Sequence, residues 1–228
     1  MAAQTISSGP VSYVNYGFEV ATTEGTVATG FPRPFGQGAK LTVNRKNNME
    51  RIHGVGRRNA QANLAKKYEG TASVEFFLGA GNTTLDHGGA SWFRSVMGAV
   101  PADTGATPYL HTYSESNTNL SFSISSGTEL GTNDYTTALI GCKINSCTIS
   151  AAVDEVAKVR LEILYRTESM STTIAGPQVV ATETPLTFAH GTLSVAGTTV
   201  GYVQSVELTI NNNLEYVWGL GSRYSTAS

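Results

Sequence analysis

The stretch that decides the fold class reads Val159-Arg160-Leu161-Glu162-Ile163-Leu164-Tyr165. Apolar side chains occupy every second position from Val159 to Tyr165, and charged side chains stand between the first three of them. Because side chains two positions apart share one face of a strand, this pattern predicts a strand with one face in a core and the other in water. The predicted strand extends from about Glu155 to Ser169, beyond the usual ~5 to 6 residues, and such length favours an extended sheet or a large barrel.

The same alternation recurs along the chain and predicts an all-β protein. Three further stretches show it: Leu41 and Val43 within residues 39–45, Leu120, Phe122 and Ile124 within 120–125, and Val206, Leu208 and Ile210 within 205–210. Another strand is predicted over 66–78, and Asn211-Asn212-Asn213 supplies turn chemistry after the last alternating run.

Composition supports this class and excludes others. The chain has 228 residues, of which 14% are charged, with 21 Ser, 29 Thr and 24 Gly. Disordered chains carry more charge and fewer aromatic residues than this one, which has 10 Tyr and 8 Phe. Helical bundles are built from Ala, Glu, Lys and Leu instead of Ser, Thr and Gly. We therefore expect a single all-β domain over residues 1–228 that folds without disulfides.

One helix is predicted, over residues 90–100. Within it Trp92, Phe93, Val96 and Met97 lie at i, i+1, i+4 and i+5, which places them on one helical face, and Pro101 follows the end. An aromatic pair at helical spacing is typical of a core, so we expect this face to pack over an open end of the sheets.

Two segments lack a strand period. Residues 1–38 hold nine Gly or Pro residues and are predicted to form an irregular or extended N-terminal arm with short strand pieces. Residues 47–62 show no clean period and are predicted to belong to a long basic loop over 45–67.

The formal net charge of −2 is the sum of two opposed parts. Residues 40–67 hold eight basic side chains against the single acid Glu50, a balance of +7, so the rest of the chain carries −9. Such a stretch suits either phosphate binding or contact with an acidic surface on a neighbouring copy. No Phe, Trp or Tyr lies within 40–67 to stack on bases, and only Tyr68 borders it, which favours contact between copies. The candidate contact residues are Arg45, Lys46, Arg51, Arg57, Arg58, Lys66 and Lys67.

The sequence shows no motif for catalysis, metal or cofactor binding. Cys142 and Cys147 are too few for a disulfide framework and are expected to be buried free thiols, and the four His residues are widely spaced. Neither a nucleophile elbow nor a phosphate-binding glycine loop is present. We therefore predict a protein that is not an enzyme and has no cofactor and no metal. The rival enzyme hypothesis rests on the adjacent pair Asp86 and His87.

The N-terminal residues lack a basic and then apolar leader, and no stretch approaches 18 apolar residues. We expect synthesis in the cytoplasm and no membrane anchoring.

Near the N-terminus, Tyr13-Val-Asn-Tyr-Gly-Phe-Glu19 is followed by Thr22-Thr-Glu-Gly-Thr26. This is the first of three motifs, in chain order, that resemble the tail tube proteins of tailed bacterial or archaeal viruses. It is similar to that family's Y-G-x-E-T-T-x-G-T start, with two more residues between the Glu and the Gly. Gly141-Cys-Lys-Ile-Asn-Ser-Cys-Thr-Ile-Ser150 resembles its G-x-x-[IV]-x-S-[LF]-x-[IL] strand. Val203-Gln-Ser-Val-Glu-Leu-Thr-Ile-Asn-Asn-Asn-Leu-Glu215 resembles its last strand and turn.

The resemblance implies a β-sandwich or half-open barrel with one flanking helix, an extended arm and a loop. It further implies a virion structural protein whose six copies form a ring, with stacked rings making the hollow tail tube through which viral DNA passes. The implied partners are other copies of the chain, the tail tape-measure, tail terminator and baseplate or tip proteins, and the passing DNA without sequence-specific binding. In this interpretation the arm serves assembly and the seven basic candidates make contacts between rings.

One alternative is a β-sandwich binding module, either capsid-decorating or lectin-like, that recognises a surface through loops at one end. Tyr109, Tyr113 and Tyr135 leave this alternative open, because exposed loop aromatics are typical of such sites.

Overall fold

The computed structural model describes residues 11–19, 25–53, 55–56, 60–80, 91–99, 102–104, 110–129, 135–171 and 183–227. The strands in the first half are β1 (Val11–Phe18), β2 (Arg33–Pro34), β3 (Lys40–His53), β4 (Ala60–Phe77), β5 (Gly79–Ala80), β6 (Ala102–Thr104) and β7 (Leu110–Thr112). Those in the second half are β8 (Phe122–Glu129), β9 (Tyr135–Ala152), β10 (Lys158–Tyr165), β11 (Thr167–Ser171), β12 (Thr184–Pro185), β13 (Ser194–Val195), β14 (Thr198–Thr199), β15 (Ser205–Asn211), β16 (Tyr216–Val217) and β17 (Thr226–Ala227). Two 3-10 turns, Ser91–Phe93 and Phe188–His190, and the helix α1 (Arg94–Met97) complete the set.

Nine strands form one continuous antiparallel assembly that divides into two halves. We call the first half sheet A, with the strand order β2-β1-β8-β9-β11, and the second sheet B, with the order β3-β4-β10-β9-β15. Strand β9 belongs to both halves, because residues 135–140 pair within sheet A and residues 143–152 within sheet B. The predicted all-β fold with one short helix is confirmed.

The two halves meet at a bend in β9. Gly141 adopts a φ of +69° there, a conformation that side chains disfavour. A Cβ on Gly141 would also lie 2.8 Å from the Cβ of Arg166, which sits at the break between β10 and β11. The single long strand predicted over 155–169 is therefore wrong in two respects: the strand begins at Lys158, and the chain leaves sheet B at Tyr165 and joins sheet A at Thr167.

The inner faces of both sheets share one core. Sheet A contributes Tyr16, Phe122, Ile124 and Leu139, and sheet B contributes Val74, Phe76, Leu161 and Ile163, all at most 2% exposed. Trp92 and Val96 join this core from the turn and helix over 91–97, and Phe93 packs against it, which confirms three of the four residues of the predicted apolar face; Met97 is not part of the core. The helix is shorter than the predicted 90–100, because Gly98 ends it with a φ of +81°. Both cysteines are free and buried, as predicted, and burial raises the pKa of Cys147 to about 12.

The described part of residues 1–38 is not an arm. Strand β1 pairs with β8 along its whole length, and Tyr16 and Phe35 are fully buried against each other with ring centroids 4.6 Å apart. Phe31 and Ala28 cover the outer face of sheet A beside Ala138. The Gly and Pro residues allow the chain to turn across that face. Residues 1–10 and 20–24 lie outside the described residues.

The predicted loop over 45–67 is also wrong. Residues 40–53 and 60–77 form a long antiparallel hairpin, paired from Lys40–Glu75 to His53–Ala60 with irregularities after Asn47 and Ile52. Beyond Gly70 the hairpin no longer lies beside β10. Both faces of the hairpin are exposed to water there. The fold therefore does not require apolar and polar residues to alternate in this part of the sequence.

A buried carboxylate holds the bend in place. Glu19, at the end of β1, is 8% exposed. Its Oε1 accepts hydrogen bonds from the Gly141 backbone N at 2.7 Å and the Ser123 hydroxyl at 2.6 Å, and its Oε2 accepts one from the Gly25 N at 2.8 Å. One side chain thus joins β1, β8, the bend and the segment that covers sheet A.

Replacing Glu19 should destabilise the domain strongly. Glu19→Ala leaves buried donors without an acceptor, so we expect the free energy of unfolding in urea to fall by about 3 kcal/mol. Glu19→Gln retains one acceptor oxygen and should cost less. Glu207→Ala, on the exposed edge strand, is the control and should stay within about 0.5 kcal/mol of the parent. An equal effect of Glu19→Ala and Glu207→Ala would contradict this role.

Candidate assembly surfaces

The hairpin beyond sheet B is the most prominent surface feature. We call its described part, residues 45–53, 55–56 and 60–69, the basic hairpin. Only β3 and β4 form it, and a free two-stranded ribbon is marginally stable in water. Its orientation therefore depends on contacts at its base.

The C-terminal segment supplies those contacts. The Tyr68 N donates to the Arg223 carbonyl at 3.0 Å, and the Arg223 guanidinium hydrogen-bonds to Asn47 across the hairpin. The Lys67 ammonium lies 4.2 Å from the ring centroid of Trp218, a favourable cation–π geometry. These long-range contacts fix the hairpin base, and no sequence motif indicated them.

Two tyrosines complete the base. The Tyr216 hydroxyl donates to the Gly70 carbonyl at 2.6 Å, and burial raises the pKa of Tyr216 to about 12. The Tyr165 ring packs directly on Gly70, and a Cβ on Gly70 would lie 2.4 Å from that ring. Gly70 is therefore a position where the fold requires the absence of a side chain.

Of the five predicted contact residues that the structure describes, three form ion pairs within the chain. Three ion pairs are present: Arg45 with Glu168 at 2.5 Å, Lys46 with Glu69 at 2.7 Å and Lys66 with Glu50 at 2.6 Å. The hydrogen bond to Glu168 raises the pKa of Arg45. Among the described residues Arg51 has no ion-pair partner, while Arg57 and Arg58 lie outside them. The surplus of +7 counted along the sequence is thus partly offset by Glu69 and Glu168, which follow the stretch.

Two aliphatic side chains near the end of the basic hairpin share one face with the Glu50–Lys66 ion pair. Register places Ile52 with Ala62 and Glu50 with Leu64, so Ile52 and Leu64 share a face. Ile52 is 43% and Leu64 50% exposed, and Val55 in the tip is fully exposed. Exposed aliphatic side chains on a projecting ribbon are typical of an interaction site.

The outer face of sheet B is polar. Its central residues come from β4, β10, β9 and β15: Glu75, Lys158, Arg160, Glu162, Thr148, Ser150 and Glu207. Arg160 pairs with Glu162 at 2.7 Å, and Lys158 pairs with Glu155 at 3.2 Å. The centre of this face therefore presents hydroxyls and three acids against two bases, with no excess of basic groups.

The described residues contain no cluster of metal ligands, and the residues of the enzyme hypothesis are not among them. Among the described residues no group of three or more His, Cys, Asp or Glu is arranged to hold a metal ion. Asp86 and His87, the basis of the enzyme hypothesis, lie outside the described residues. Of the loop tyrosines, Tyr113 packs on Phe93 with ring centroids 5.1 Å apart, Tyr135 is 52% exposed, and Tyr109 is not described. Within the described residues no helix is both long and apolar enough to span a membrane.

Comparison with known proteins agrees with the motifs and the fold. No curated protein gives a significant match. A family model described as phage tail tube protein matches residues 9–227, nearly the whole chain. The chain is therefore a member of the phage tail tube protein family, a structural component of the virion tail.

Proposed function

We propose that six copies of this chain form a ring and that stacked rings make the hollow tube through which viral DNA leaves the capsid. One observation carries the proposal beyond family membership: sheet B ends on both sides in a strand whose outer edge is free. Strand β3 pairs only with β4, and β15 pairs only with β9, among the described residues.

The edge strands of a sheet are normally protected, because their unpaired backbone N–H and C=O groups can bind a strand of another molecule. Here β15 carries a single charged residue, Glu207, in seven. Sheet B has five antiparallel strands, so β3 and β15 run in the same direction. Copies related by rotation about an axis would therefore bring β15 of one beside β3 of the next as a parallel pair. Such head-to-tail contacts close into a ring.

The polar face of sheet B is our candidate for the pore wall. Its central part carries the three acids Glu75, Glu162 and Glu207 and the two bases Lys158 and Arg160. Basic groups bind DNA largely because they release counterions from its phosphates. A pore wall without a surplus of basic groups therefore does not hold the passing DNA. The opposite face of the same sheet is held in the core.

The basic hairpin is our candidate for contact between rings. It projects from one end of sheet B, whose edges would be occupied within the ring. The completed tube would meet the tape-measure protein inside and the terminator and baseplate or tip proteins at its ends. We further propose synthesis in the host cytoplasm and a purely structural, non-catalytic role.

Electron microscopy of the purified protein is the direct test. We expect negative-stain images to show six-fold rings and hollow tubes, and tube assembly should increase with protein concentration. A monodisperse monomer over a range of salt and protein concentrations would contradict the proposal.

A proline scan of β15 tests the edge contact. Backbone N–H groups of successive residues point to opposite sides of a strand, so of Glu207→Pro and Leu208→Pro one removes an N–H on the free edge. That variant should keep the parental unfolding midpoint but lose rings in analytical ultracentrifugation. The other variant removes a hydrogen bond to β9 and should lower the midpoint. If both variants still form rings, β15 is not at the interface.

Charge reversal tests the contact between rings. Arg57→Glu with Arg58→Glu, and separately Arg51→Glu, should shorten tubes and leave single rings and monomer stability unchanged, because the charges would act only across copies. Arg160→Glu, on the proposed pore wall, is the matched control and should leave tube length unchanged. Tubes of parental length from the hairpin variants would refute this assignment.

A further inference from the structure

The two free edges of sheet B carry opposite charges on the same face. Lys40 begins β3, and Glu207 lies within β15. The row of directly opposite residues that starts at Lys40 crosses β4, β10 and β9 and ends at Thr209, two residues after Glu207. Residues opposite each other, or two apart in one strand, share a face of a sheet. Lys40 and Glu207 therefore both lie on the polar face, one at each edge.

These two charges are not paired with each other inside the chain. Both side chains are exposed, and among the described residues neither takes part in an ion pair. The two bases at the centre of this face, Lys158 and Arg160, are both paired. Four strand spacings, about 19 Å, separate Lys40 from Glu207. The two side chains can therefore meet only across two copies.

The apolar face of the sheet is also open at these edges. On β15, Leu208 is 51% and Val206 43% exposed, although Leu208 stands opposite Ile149, which packs on the core. On β3, Leu41 and Val43 are half-buried on the same face. A strand placed beside either edge would therefore cover apolar side chains as well as backbone groups.

The alternation of the two faces limits how the edges can pair. A shift of one residue would put apolar side chains beside polar ones, so Glu207 of one copy must stand beside Lys40 of the next or two positions away from it. Two positions earlier, at Gly38, the acid meets no charged partner. Two positions later, Ile210 would lie next to the charged Arg45. The register that pairs Glu207 with Lys40 avoids both faults.

The same register aligns the rest of both strands. It matches like with like at the next three positions: Leu208 with Leu41, Thr209 with Thr42 and Ile210 with Val43. Such cross-strand pairs stabilise a sheet. Lys40 is level with Thr209 in its own chain but with Glu207 in the next copy, so the register advances by two residues per copy. A sheet needs a stagger of this kind to close into a barrel.

We infer that, within a ring, Lys40 of each copy forms an ion pair with Glu207 of its neighbour, with Leu41 packed beside Leu208. The inference rests on the proposed ring and specifies the residues that join its copies. Backbone hydrogen bonds and apolar contact supply the affinity, and the ion pair selects the register. Lys40 of the neighbour is then the third base on the pore wall and balances its third acid.

Disulfide trapping measures the register directly. Lys40→Cys with Glu207→Cys should give, after mild oxidation of the assembled protein, covalent multimers on a non-reducing gel that end at the size of one ring. A disulfide needs Cα atoms within about 7 Å, and a residue two positions out of register lies about 8 Å away. Lys40→Cys with Thr209→Cys, and Lys40→Cys with Ser205→Cys, are therefore the controls for the two adjacent registers.

Crosslinked product from the Glu207→Cys pair should exceed that from either control by about tenfold or more. The native Cys142 and Cys147 are fully buried and give no background. Rings in which the Glu207→Cys pair crosslinks no better than a control overturn the inference and leave the proposed function standing. A parental chain that forms no rings overturns both.

Charge exchange gives an independent measurement. Lys40→Glu and, separately, Glu207→Lys place like charges at every joint of the ring, so the concentration needed for ring assembly should rise about tenfold or more in analytical ultracentrifugation. Lys40→Glu combined with Glu207→Lys restores the pair and should assemble within about threefold of the parental concentration. Glu207→Lys combined with Lys158→Glu keeps the net charge without the pair and should not recover.

Lys40 and Glu207 are exposed, so the unfolding midpoint of the monomeric variants should stay near the parental one. Single variants that assemble like the parent would overturn the inference. A combined Lys40→Glu and Glu207→Lys variant that assembles no better than the single variants would overturn it as well.

Discussion

The fold depends on the buried carboxylate of Glu19. A strand that serves two sheets must bend, and at the bend the Gly141 N–H lacks a strand partner and needs an acceptor inside the protein. The Glu19 carboxylate accepts hydrogen bonds from Gly141, Ser123 and Gly25 at the same time. A hydroxyl or an amide side chain has only one oxygen acceptor and is less suited to three donors. Hydrogen bonds to a charged acceptor are also the stronger ones. This explains why an acid is retained at 8% exposure.

The bend gives the molecule a fixed frame for its surfaces. Because β9 and the β10–β11 pair pass from one sheet into the other, the two sheets cannot slide independently. Sheet A and the segment over 25–38 cover one end of the apolar face of sheet B. They leave its polar face, its two edges and its far end open. The basic hairpin continues from the same sheet and is braced by Trp218 and Arg223. All the candidate contact surfaces are therefore carried by one rigid element.

The sequence predicted those strands whose two faces differ in environment. Leu161 and Ile163 alternate with charged residues because one face is core and the other is water, and the class of fold followed from that pattern. The hairpin from Lys40 to Phe77 was predicted only in part, since both of its faces meet water beyond Gly70 and the alternation disappears. The family motif marked Glu19 and Gly25 despite the two additional residues between them, and the hydrogen bond joining these residues shows why the pair matters. The C-terminal brace joins residues about 150 positions apart, which no local pattern can reveal.

The structure also reduces the contribution that the basic residues are expected to make to the contact between rings. The balance of +7 counted over residues 40–67 already includes Glu50, and in the structure two more of these cations pair with Glu69 and Glu168. Exposed pairs of this kind contribute little to stability and leave little net attraction for a neighbour. Burying two or three aliphatic side chains at ~25 cal/mol per Å² contributes several kcal/mol for each copy, and a ring would repeat the contact. We therefore expect the exposed aliphatic side chains Ile52, Val55 and Leu64 to contribute to the affinity between rings beside the charges of the basic hairpin.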